Sequence, residues 1–142
     1  MKAAKVSDIK KDLTSKTKPE LLDLCLHLAK FKKENKELLT YILYEADDEA
    51  SFIRNIKEEV DEQFSEINTS SYYFIKKSMR KILRNIKKHI RYSKNKETEV
   101  ELLIYYCSKL NSFSPSITRS TALINLYQRQ LVSIQKTVSS LH

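Results

Sequence analysis

Nine cationic side chains, Lys76, Lys77, Arg80, Lys81, Arg84, Lys87, Lys88, Arg91 and Lys94, stand in a stretch with no acidic residue between positions 68 and 96. At three- and four-residue spacing such a row falls on one side of a helix. There it could neutralise several phosphates of DNA or RNA, or rest on an acidic lipid surface. Projected at about 100° per residue, Tyr72, Ile75, Met79, Ile82, Leu83, Ile86 and Ile90 occupy an arc of roughly 100°, and the cations fill an adjoining arc of about 140°. Tyr73 projects into the cationic arc, where its ring could stack on a base.

The competing reading is self-compensation. Residues 45–67 hold two basic and nine acidic groups, so an acidic helix precedes the basic one. Across an antiparallel hairpin the two could pair through edge residues such as Asp61, each exposed pair contributing little. Lysine outnumbers arginine by twenty to six, which weighs against nucleic acid, because arginine supplies the bidentate and stacking contacts.

Other chemistry finds little support. Glu58, Glu62 and Glu66 repeat every four residues, a spacing that could bring a general acid and base together, but no nucleophile stands near them. His27, His89 and His142 have no carboxylate three residues before them, so the paired Glu-x-x-His pattern of helical di-iron sites is missing. Cys25 and His27 lie two apart, on different faces of a helix, and cannot easily share a metal. Cys25 and Cys107 each fall in an apolar stripe, where cysteine packs as a small hydrophobe. His89 reads as a boundary residue beside the apolar arc. No metal or other cofactor is expected, and no catalysis.

The elements that must carry these residues are helices. The chain of 142 residues has no glycine and two prolines, Pro19 and Pro115. It therefore lacks the glycine-dependent phosphate and dinucleotide loops, and strands lack their usual punctuation. Caps and apolar spacing predict seven helices. The first runs over 7–13. The second opens on Thr17, Pro19 and Glu20, a capping box, and would bury Leu21, Leu22, Leu24, Cys25, Leu28 and Ala29. The third is capped near Asn35 and carries Leu38, Leu39, Ile42 and Leu43. The fourth starts near Asp47 and Asp48 with the seam Ile53, Ile56, Val60, Phe64 and Ile67.

The cationic fifth helix follows Asn68-Thr69-Ser70-Ser71 and ends near Ser93. The sixth spans about 96–110 and would bury Val100, Leu103, Ile104, Cys107 and Leu110. The seventh starts at the loop that ends in Pro115 and carries Leu123, Tyr127, Leu131, Ile134, Val138 and Leu141. Links of two to five residues make neighbours antiparallel, so the reading is an all-α chain of about seven helices in α-hairpins, forming a bundle or a short α-α superhelix. We expect one domain over 1–142, with residues 1–16 a short, loosely packed N-terminal helix.

The stretch Leu28-Ala29-Lys30-Phe31-Lys32-Lys33-Glu34-Asn35-Lys36-Glu37-Leu38-Leu39, continuing through Tyr44-Glu45-Ala46-Asp47-Asp48-Glu49, resembles a family of small all-helical bacterial proteins of unknown function. The likeness covers about residues 18–110 and implies an all-helical fold.

The longest purely apolar run, residues 102–107, is far short of the ~20 residues of a membrane span, and no apolar signal core follows Met1. The expectation is a cytoplasmic, non-catalytic interaction or scaffold protein without a membrane or small-molecule partner. Its partner would be protein, a second copy included, on the seam Tyr127, Leu131, Ile134, Val138 and Leu141. The alternative is nucleic acid on the basic face of the fifth helix.

Overall fold

With no glycine to end its helices, the chain starts most of them with side-chain caps and ends one on a left-handed lysine. The computed structural model describes residues 1–141, in which seven α-helices and no strand occur. They are α1 (Val6–Leu13), α2 (Lys18–Phe31), α3 (Lys33–Thr40), α4 (Glu49–Ser65), α5 (Tyr72–Ser93), α6 (Lys96–Asn111) and α7 (Thr121–Ser139). The fold is all-α, and none of the described helices is long and apolar enough to cross a membrane. His142 lies outside the described residues. Where the sequence suggests one domain, the backbone divides into two compact units, Met1–Leu43 and Tyr44–His142.

In the first unit the Thr17 capping box forms: the Glu20 amide donates to the Thr17 hydroxyl at 3.3 Å and the Thr17 amide donates to Glu20 Oε1 at 2.9 Å. Asn35 does not cap α3. That helix starts at Lys33 after the single extended residue Lys32, and Asn35 Nδ2 instead donates to the Leu28 carbonyl at 2.8 Å, tying α3 to α2. The expected core face of α2 is not a core face here. Leu21, Leu22, Leu24, Cys25 and Leu28 are exposed, and Ala29 alone of that helix is buried. One short neighbour, α3, cannot cover so broad an apolar surface.

The second unit is built around α6, which packs against α4, α5 and α7. It buries Thr98, Leu102, Leu103, Tyr106, Cys107 and Leu110. The Tyr106 hydroxyl donates to the Met79 carbonyl of α5 at 2.7 Å. Burial pushes the Cys107 thiol up to about 11. Val100 is half-buried and Ile104 is 51% exposed, against expectation, because neighbours approach α6 from more than one side.

Cross-links fix the helix directions. Lys57 meets Glu101 and Asp61 meets Lys109, so α4 runs parallel to α6. Ser93 donates to Glu49 at 2.8 Å, so α5 runs antiparallel to α4. Lys96 reaches Ser140 at 3.1 Å, so α7 is antiparallel to α6. α4 buries Phe52, Ile56, Val60 and Phe64, while Ile53 and Ile67 of the expected seam are half-buried. α7 starts at Thr121, capped by Ser120, after a 3₁₀ turn at Ile117–Arg119, and so begins later than Pro115 suggests.

Lys94 ends α5 at φ 56°, ψ 15°, the left-handed region where a Cβ is unfavourable, and its amide donates to the Ile90 carbonyl at 2.9 Å. Relief of that crowding outweighs the extra freedom a glycine brings to the unfolded chain. Lys94→Gly is therefore expected to stabilise the protein by about 1 kcal/mol, raising Tm by roughly 4–8 °C for a unit of this size. Calorimetry showing an unchanged or lower Tm would contradict it.

Candidate nucleic-acid interface

α5 is held by its apolar side. Ser71 caps it by accepting from the Phe74 amide at 3.5 Å, and Ile75, Met79, Ile82, Leu83 and Ile86 are buried. Tyr72 and Ile90, on the same arc but near the two ends of the helix, are half-buried. The Tyr72 hydroxyl donates to the Ser116 carbonyl at 2.8 Å, anchoring the start of the helix. With that face fixed, helical geometry turns the cations outward. Lys77, Arg80, Lys81, Arg84, Lys87, Arg91 and Lys94 are exposed, and Lys76 and Lys88 are half-buried. At 1.5 Å per residue the row from Lys77 to Lys94 is about 26 Å long.

At its N-terminal end, Tyr73, Lys76, Lys77, Arg80 and Arg84 line a shallow groove of about 480 Å³. Tyr73 is 64% exposed, and the Phe74 ring, itself 41% exposed, meets it edge-on at 5.3 Å. The sequence reading places Tyr73 in this arc but leaves Phe74 unassigned. Phe74 falls well outside the apolar arc of the projection and just beyond the cationic edge at Lys81, which is the signal for it.

Asp61 of α4 does not neutralise this row. Lys57 Nζ lies 3.3 Å from Glu101 and 5.2 Å from the centre of the Tyr105 ring. Asp61 accepts from the Tyr105 hydroxyl and lies 3.1 Å from Lys109 Nζ. Asp61, expected at the edge facing the basic helix, is thus turned onto α6. Glu58, Glu62 and Glu66 are exposed. Among the described residues, eight of the nine cations, Lys88 apart, make no ion pair.

The Asp61 cluster braces α4 against α6. The Tyr105 hydroxyl first, then Lys109, holds the Asp61 carboxyl below the usual carboxylate range. Burial and then Asp61 push the Tyr105 phenol up to about 12, so it serves as a donor and not as a base. A lowered folded pKa means stability present above the unfolded value, near 4, and lost as pH falls through the folded one. Between about pH 5 and about pH 2 the urea midpoint is expected to fall less in Asp61→Asn than in the wild type. Equal slopes would remove the brace.

The remaining candidates stay apart. His89 Nδ1 sits 2.7 Å from the Asn85 carbonyl, with its ring against Phe52 and Tyr92. Cys25 is exposed, contrary to the expected packing, whereas Cys107 is buried. No group of three metal-ligating side chains converges among the described residues. The α7 seam is split. Ile134 is buried and Tyr127 half-buried, while Leu131, Val138 and Leu141 are 39%, 46% and 37% exposed.

Comparison with known proteins adds no relative: no family model matches the chain, and no curated protein or solved structure matches it.

Proposed function

We propose that this chain is a non-catalytic helical interaction module that binds nucleic acid along the basic face of α5, mainly through phosphates. The observation that carries the reading is the row of exposed cations without ion-pair partners beside a groove ending in Tyr73. Like charges three and four residues apart repel along a helix, so a row whose exposed members find no carboxylate partner favours an external polyanion. The lysine excess favours phosphate contacts with little sequence preference.

Anisotropy of labelled single-stranded and duplex oligonucleotides, titrated with the protein over a range of salt, tests it. Binding at low salt that weakens steeply towards physiological salt is expected. No binding at low salt, or binding indifferent to salt, would overturn the proposal. A second reading, a scaffold that takes a protein on its last helix, draws on the exposure of Leu131, Val138 and Leu141. Its seam is the weaker candidate, because Ile134, at its centre, is turned into the core.

A further inference from the structure

The first unit carries more apolar surface than it covers. Placing α2 residues at about 100° intervals spreads its apolar side chains over roughly 220°, far wider than the stripe one neighbour buries. α3 takes the middle of this arc, where Cys25, Leu28 and Ala29 join Leu38, Leu39 and Ile42 around a groove of about 200 Å³. On either side, Leu22, Leu24, Leu26, Leu28 and Phe31 are 59%, 40%, 43%, 57% and 78% exposed, and Ile42 is 56% exposed. This open apolar surface lies in two flanks, Leu22 and Leu26 on one side of the part that α3 covers and Leu24 and Phe31 on the other. A unit of 43 residues is also near the length below which oligomerisation is usually needed.

We infer that a second copy of this chain covers the Leu22–Leu26 flank of α2, the two α2 helices packing antiparallel about a two-fold axis near Leu26. The charges of α2 choose this occupant. Glu20 and Asp23 lie in its first half, and Lys30, followed by Lys32 and Lys33, in and after its second. Antiparallel pairing therefore sets the acidic half of each helix against the basic half of the other, as a self-complementary two-fold interface requires. Lys18 alone runs against the pattern. Asp23 and Lys30 lie along the edge of the Leu22–Leu26 stripe, and an axis between residues 26 and 27 sets each beside the other residue of the second copy.

Sedimentation equilibrium of the full chain, at concentrations on the order of tens of micromolar, is expected to give twice the 16.7 kDa of the monomer. Asp23→Lys should weaken the dimer at least ~10-fold, and adding Lys30→Asp should restore it, since the exchange rebuilds both pairs with reversed sign. Leu22→Glu with Leu26→Glu should give monomers of unchanged helicity, because both side chains are exposed within the unit. A wild-type monomer at these concentrations overturns the inference. So does a dimer that survives both the charge reversal and the leucine pair, or one abolished only by Leu131→Glu with Val138→Glu, which would assign the contact to α7.

Discussion

Tyr106→Ala is expected to lower the stability of the protein by about 4 kcal/mol, the mid-range cost of removing a fully buried aromatic side chain from a core. The side chain is 0% exposed, its ring lies 6.0 Å from that of Phe64 on α4, and its hydroxyl reaches the Met79 carbonyl on α5 at 2.7 Å. One residue of α6 thus joins three helices, and its loss leaves a void that rigid neighbours cannot fill. Domains of this size have about 5–15 kcal/mol in total, so Tm should fall by roughly 15–30 °C. Tyr106→Phe separates packing from hydrogen bonding. It keeps the ring and removes only the hydroxyl, so about 1 kcal/mol is expected. If urea unfolding finds Tyr106→Ala costing less than about 1.5 kcal/mol, α6 is not the axis of the unit.

What could be read from the sequence divides by distance along the chain. The caps at Thr17 and Ser71 and the two faces of α5 depend on residues two to four apart, so local rules place them. The cationic row belongs to this class: seven of its nine members are exposed, while Lys76 and Lys88 are half-buried. α6 was harder because a central helix has no single apolar stripe. Reading one stripe selects Ile104, which is exposed, and passes over Thr98, Leu102 and Tyr106, which are buried.

On α7 the buried row is Leu123, Leu126, Gln130 and Ile134. A glutamine in a core position turns the apparent stripe towards Tyr127 and Leu131. In α2 the apolar pattern states correctly that the helix needs cover, but no periodicity says what supplies it. Charge sums by segment likewise reveal an acidic helix without revealing that Lys57 and Asp61 meet α6. Which helices become neighbours is decided by packing over forty or more residues.

Replacing Lys77, Arg80 and Arg84 with alanine is expected to weaken nucleic-acid binding on the order of a hundredfold at low salt, and this result would separate a binding face from mere net charge. Each phosphate contact releases about 0.9 counter-ion from duplex DNA, so removing three should make the slope of log affinity against log salt shallower by nearly 3. The same three charges removed from α1 and its flank, Lys10, Lys11 and Lys16, lower the net charge of +8 equally. If phosphates lie along α5, that control leaves the slope almost unchanged. Equal losses from both triples would mean diffuse attraction to a basic protein, and the α5 site would fall.

Tyr73→Ala probes the other half of the groove. A stacked base is worth about 1–3 kcal/mol and carries no counter-ion, so affinity for single strands should drop roughly 5- to 150-fold at constant salt slope. Duplex binding should barely change, because paired bases are already stacked on one another. The two variants thus act on different observables, slope and strand preference. Only a face that combines an exposed ring with an uncompensated row of cations predicts both.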